Sequence, residues 1–193
     1  MARLDDCCNI ADLRDLARRR LPKCIFEYVD RGSEDDIALR DNCEALQRLK
    51  LRTRFLVDLS VRDMGTELFG KRVEFPLAVA PTGIAGLCWY EGELALAKAA
   101  AAAGVPFCLA MSSNTSMETI ARQADGRFWF QVYMWKQQDL TYDMIRRARD
   151  LGFEALVVTI DTALGRAREH NECGSARGPG ADRHASPLIR HTS

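Results

Sequence analysis

Residues 104–133 read "GVPFCLAMSSNTSMETIARQADGRFWFQVY". An apolar run, "PFCLAM", gives way to small polar residues. Ser116 is then placed to cap a helix through about Gln123, because a Ser side chain before a helix accepts from one of its first free amides. A second apolar run, "FWFQVY", closes the stretch. Strand, helix and strand in such close succession are the pattern of a parallel βαβ unit.

The same rhythm extends to either side. "PLAVAP" (76–81) is an apolar run before the Ala-rich "GELALAKAAAAAG" (92–104), a helix that Gly104 would close. "DLTYDMIRRARDLG" (139–152) predicts a helix stopped by Gly152, and "ALVVTID" (155–161) a fourth strand, buried from Ala155 to Ile160. Strands therefore start near residues 77, 107, 128 and 155. The first part of the chain is helical instead. Leu13, Leu16 and Ala17 follow Ile10 at helical spacing. Pro22 suits the first turn of a second helix and Gly32 its stop. Ser33 precedes Asp36 by three residues, a capping-box-like start for a helix to about Arg48. Alternation from Thr66 to Phe75 suggests a small hairpin. Three segments result: 1–65 helical, 66–171 built of βα units, and 172–193 an irregular tail that opens "ECGSARGPGADR".

Four such units fit an open doubly wound sheet or part of a closed barrel. Polar residues stand at the C-terminal end of every run: Thr82, Ser112 with Ser113, Gln131 with Tyr133, and Thr159 with Asp161. A barrel builds its site from several strand ends in turn, whereas an open sheet concentrates it at one switch point. No GxGxxG follows the first run, so a Rossmann dinucleotide site is disfavoured. The expected fold class is α/β: N-terminal helices plus the first four βα units of a TIM (β/α)8 barrel, with the C-terminal half missing.

Composition limits the function classes. The chain has 193 residues, with Lys plus Arg and Asp plus Glu both 27. That balance argues against nucleic-acid binding driven by bulk charge. The start "MARLDDCC" carries acids where a signal peptide needs an apolar core. The run from Ala99 to Met111 is too short to span a bilayer. Seven irregularly spaced cysteines point to a reducing compartment, hence the cytoplasm, with no disulfide framework and no metal site.

Individual stretches leave two readings each. In "APTGIAGL" (80–87), Gly83 and Gly86 would let backbone approach a flat ligand, or form an ordinary βα turn. Gln131 and Tyr133 share a strand face; a Gln there can donate and accept towards a heterocycle, or the pair is simply satisfied within the protein. Thr159 and Asp161 share a face too, and Asp161 could orient a His or cap the next helix. Arg166 and Arg168 could grip a carboxylate or belong to a solvated loop. Tyr28 is not singled out by physics alone, and His170, His184 and His191 have no partner at catalytic spacing.

"LPKCIFEYVDRGSEDD" (21–36), "FPLAVAPTGIAGLCW" (75–89), residues 104–133 and "VVTIDTALGRAREHN" (157–171) together resemble the FMN-dependent 2-hydroxy acid dehydrogenase/oxidase family, which includes glycolate oxidase and the L-lactate and mandelate dehydrogenases. "APTG" and "SSNTSME" are nearest in wording to the mandelate dehydrogenases. The resemblance covers about residues 10 to 171. It implies an FMN-binding barrel that oxidises a small 2-hydroxy acid to a 2-oxo acid. Ala80, Pro81, Thr82 and Gly83 would run beside the flavin ring; Gln131 and Thr159 would bind its polar edge. Tyr28 and Arg168 would hold the substrate carboxylate, Tyr133 would lie near the substrate hydroxyl, and Asp161 would orient the histidine base.

Two departures stand out. Ala110 occupies a position where the family usually has a flavin-contacting Ser. The His base, a substrate-binding Arg, the Lys near the flavin and the phosphate loops lie on later strands in the family. His184 and His191 fall in the tail and are not assigned the base role. The isolated chain is therefore expected to be inactive and prone to self-association. Two further readings remain: a noncatalytic half-barrel remnant, and another FMN-barrel chemistry such as isomerisation or nucleotide oxidation.

Overall fold

The computed structural model describes residues 4–161. Three helices come first: α1 (Ile10–Arg20), α2 (Lys23–Asp30) and α3 (Ile37–Arg48). Asn9 caps α1 by accepting from Asp12 N at 2.9 Å, and Leu16 is the buried residue of that helix. Arg14 binds Asp30 through a two-pronged ion pair that ties α1 to α2. Pro22 is the N-cap of α2 and Arg31 its C-cap, so each expected boundary shifts by one residue. The capping box does not form at α3. Asp36 is itself the N-cap, in the left-handed region at φ 57. Its carboxylate turns back to accept from Gly32 N at 2.8 Å instead of from Ser33 N.

The hairpin is present as β1 (Thr66–Leu68) and β2 (Lys71–Val73), antiparallel, with Leu68 opposite Lys71. Its two turn residues, Phe69 and Gly70, both have positive φ, as a two-residue turn that follows strand twist requires. The hairpin sits under the N-terminal ends of the main sheet. Phe69 packs edge-on against Trp129 at 5.3 Å. Arg127 reaches Leu68 O at 2.8 Å and Glu154 at 2.7 Å, and Lys71 binds the same carboxylate.

The main sheet has β3 (Phe107–Ala110), β4 (Phe128–Tyr133) and β5 (Ala155–Thr159), all parallel and in sequence order. Helices α4 (Gly92–Ala102), α5 (Met117–Gln123) and α6 (Gln138–Asp150) alternate with them. Ser116 caps α5 by accepting from Thr119 N. The expected strand near 77 reduces to one bridge, Val79 to Phe107. Val79 N donates to Pro106 O at 2.8 Å and Cys108 N to Val79 O at 3.0 Å. Pro76 and Pro81 bracket this run; a proline brings no N–H and restricts the residue before it, so the ladder cannot lengthen.

The sheet has two different faces. Phe107, Leu109, Phe128, Phe130 and Val132 face the helices and form the core with Leu94, Ala97, Ala100, Met117, Ile120 and Ala148. Cys108, Ala110, Trp129, Gln131, Tyr133, Val157 and Thr159 alternate onto the other face, as period-two geometry demands. The expected burial of the fourth run is not met. Leu156 and Val158 are 42% and 45% exposed and Ile160 87%. A parallel strand needs cover on both faces, and no described element lies over this side of β5.

Candidate functional site

The C-terminal ends of β3, β4 and β5 meet at Gln131. Its side chain is buried, 3% exposed, although it is a polar residue near a strand end. Gln131 Oε1 accepts from Met111 N at 3.2 Å, and Gln131 Nε2 donates to Thr159 Oγ1 at 2.9 Å. One amide thus joins three consecutive strands at the same level. The register explains it: Ala110 lies opposite Gln131 and Tyr133 opposite Thr159. Ala110 has no side-chain oxygen, so the backbone N–H of the next residue fills the acceptor. Tyr133, half-buried on the same face, donates its N–H to Met111 Sδ at 3.3 Å.

Beside this group, the loop after Val79 leans on the loop after β3. Ile84 N donates to Ser112 O at 3.1 Å. A Cβ on Gly83 would stand 2.3 Å from Ser112 Oγ, and one on Gly86 would stand 3.2 Å from the Asn114 Cβ. The open sides of these glycines are therefore taken by the neighbouring loop, where the sequence suggested room for a flat ligand. Gly92 instead makes room for the loop that precedes it: a Cβ there would meet Ala85 O at 2.6 Å. Ile84 has φ 50, a strained conformation for a β-branched residue.

Sequence reasoning missed Glu93. It is 1% exposed, at the start of α4. Its carboxylate accepts from Asn114 N at 3.1 Å and Thr115 Oγ1 at 3.1 Å, and the backbone amide of Gly86 also acts on it. Burial alone would raise its pKa, but these donors outweigh it and hold the carboxyl below its ordinary range. A signal was present: Glu93, Ala97 and Ala100 share one helical face, so the acid heads a buried stripe.

Of the residues expected at the site, the structure brings Gln131, Tyr133 and Thr159 together. It sets Ala80 to Gly83 in the adjoining loop, with Thr82 and Gly83 exposed. Asp161 is exposed two residues beyond Thr159. Tyr28 is exposed on α2, whose main packing partner is α1. Arg168, the tail and its histidines lie outside the described residues. Among the described residues no His, Cys, Asp and Glu cluster could hold a metal ion.

The donor set suits the polar edge of a flavin ring. Gln131 retains one lone pair and one N–H beyond its two bonds, and Thr159 retains its hydroxyl hydrogen. Both kinds of group converge at one strand-end level, as a heterocycle presenting carbonyl and ring nitrogen needs.

A family model described as FMN-dependent dehydrogenase matches residues 17–185. The chain is 40% identical to (S)-mandelate dehydrogenase of Pseudomonas putida over 84% of this chain and 41% of that protein. It is 38% identical to L-lactate dehydrogenase of Caulobacter vibrioides over 90% of this chain and 45% of that one. Among solved structures, monotopic membrane protein (S)-mandelate dehydrogenase superposes with a TM-score of 0.83 at 37% identity, covering 93% of this chain and 48% of that chain. A mandelate oxidase variant with (S)-mandelic acid gives 0.80 at 38% identity, covering 88% and 51%. The chain spans a little under half the length of the curated relatives it matches. The described fold is part of their α/β barrel. No described helix is long and apolar enough to cross a membrane.

Proposed function

The chain belongs to the FMN-dependent dehydrogenase family, whose cofactor is FMN, and on that premise we propose that it contributes the flavin-edge wall of an enzyme oxidising a small 2-hydroxy acid to the 2-oxo acid. The single observation that carries this reading is the buried Gln131 amide, bridging Met111 N and Thr159 Oγ1 at the strand ends. When bound, FMN supplies the acceptor for the hydride equivalent that leaves the substrate α-carbon. Gln131 and Thr159 would hold the ring's polar edge with their spare hydrogen-bonding capacity. By the resemblance, the backbone of Ala80 to Gly83 would flank the ring. By the same resemblance, Tyr133 would lie near the substrate hydroxyl, Tyr28 and Arg168 would bind the carboxylate, and Asp161 would orient the base histidine. Aryl and short aliphatic 2-hydroxy acids, the substrates named for the mandelate and lactate relatives, are the classes to test.

The proton-abstracting histidine and the phosphate loops belong, by the resemblance, to later strands. We place the chain in the reducing cytoplasm and expect it to bind FMN weakly and not to turn over alone. FMN titration followed by flavin fluorescence tests this. Uptake that Gln131→Leu and Thr159→Val each weaken supports the assignment; uptake indifferent to both sinks it. Anaerobic bleaching of the flavin by (S)-mandelate or L-lactate in this chain would overturn the expected inactivity.

A second reading is supported by the apolar face that Leu156, Val158 and Ile160 expose. On it, the chain is a noncatalytic half-barrel that pairs with a second copy. A monodisperse dimer that melts cooperatively and takes up no flavin would favour this reading over the first.

A further inference from the structure

We propose that Glu93 is a positioning residue for the flavin wall, fastening the two loops that form it; this rests on the flavin reading above. The Glu93 carboxylate ties the loop after β3 to the end of the loop that follows Val79. Glu93 itself stands at the start of α4. Asn114 N and Thr115 Oγ1, each at 3.1 Å, belong to the loop that carries Ser112 away from β3. The chain that carries Ala80 to Gly83 away from Val79 runs straight into Glu93 at the start of α4. The two loops also lie in close contact: a Cβ on Gly83 would meet the Ser112 hydroxyl at 2.3 Å and one on Gly86 would press on Asn114 at 3.2 Å, so sliding them apart would break the Glu93 bonds to Asn114 and Thr115.

Burying a carboxylate is costly unless several donors compensate. Here they do, and the compensated charge has a structural consequence. Charge-assisted bonds are stronger than neutral ones, so the carboxylate holds the strained Ile84 backbone and its bond to Ser112 O in place. Neither loop has regular secondary structure beyond the 3-10 turn Ala85–Leu87. Glu93 is therefore the side chain that adds charge-assisted bonds to the single backbone bond, Ile84 N to Ser112 O, between the two loops. Glu93 touches neither the Gln131 amide nor Thr159 in the described hydrogen bonds, so it acts through the loops.

The test compares wild type, Glu93→Gln and Glu93→Leu in the full chain. Gln keeps one acceptor oxygen; Leu keeps none and leaves the loop amides unpaired. Amide hydrogen exchange at Asn114, Gly86 and Ile84 is measured beside FMN affinity, with Gln131→Leu as the comparison. The expected result is graded: exchange at these amides rises about tenfold in Glu93→Gln and further in Glu93→Leu, with FMN affinity falling in the same order. Amides in α6 should exchange as in wild type, which separates loop release from global unfolding. Gln131→Leu should weaken FMN without releasing Asn114. If Glu93→Leu fails to fold, Glu93→Gln alone decides. Unchanged exchange at Asn114, or released loops with wild-type FMN affinity, would overturn the role of Glu93. A wild-type chain that takes up no FMN would overturn the flavin reading, and with it the positioning role.

Discussion

Gln131 joins three strands through one amide, and its substitution exposes what that costs. Gln131→Leu leaves Met111 N–H and Thr159 Oγ1 without their partner inside the protein. Fully buried groups stranded in this way cost ~1–3 kcal/mol; Met111 and Thr159 are half-buried, so the denaturant midpoint should fall by an amount corresponding to the lower part of that range in equilibrium unfolding. A fall no larger than that of an exposed-surface substitution would show that water already reaches the pair. Cys108 gives a second expectation at this scale. It is buried on the site face, and burial pushes its thiol up to about 11. At mildly alkaline pH it should stay protonated and resist alkylation in the folded chain, while exposed Cys8, Cys24 and Cys43 react. Peptide mass spectrometry after timed alkylation reads this directly, and early modification of Cys108 would refute it.

Among the elements, the start of α4 and the base of the sheet are the most exacting. Gly92→Ala would improve helix propensity, but its Cβ would meet the backbone of Ala85 at 2.6 Å. Backbone cannot move aside as a side chain can, so overpacking should dominate and destabilise by ~1–3 kcal/mol. A thermal melt at or above that of the wild type would reverse the argument. At the other end, Glu154 joins the hairpin to β4 through Lys71 and Arg127. Burial raises its pKa, and the two cations lower it further than burial raises it, leaving a net depression. Its stabilising contribution is thus complete above the unfolded Glu value of ~4.3 and is lost as pH falls through the lower folded value. Denaturation midpoints should decline in this acid range, and the decline should be shallower in Glu154→Gln. Parallel pH profiles for the two proteins would disprove the linkage.

At the scale of the described residues as a whole, the sheet is flanked on its β3 side by Val79, and no described strand lies beyond β5, which shows Leu156, Val158 and Ile160 to solvent. Unpaired edges and apolar faces promote association. Sedimentation velocity should show concentration-dependent association, reduced by Val158→Lys; a monomer at all concentrations would contradict this.

The sequence by itself determined the α/β alternation, because apolar runs, Ser116 and the closing glycines are local signals that the fold did not override. It also brought Gln131, Tyr133 and Thr159 into view, since side-chain alternation puts strand-end polar residues on predictable faces. Only the tertiary structure decided that "PLAVAP" contributes one bridge, that Gly83 and Gly86 make room for the neighbouring loop, and that Glu93 fastens two loops. Those outcomes depend on which segments approach in space, and a pattern repeating every two or four residues does not encode distances between residues twenty apart. The Gln131–Thr159 bond has the same origin: the residue types were legible, but strand register brought the amide and the hydroxyl within 2.9 Å.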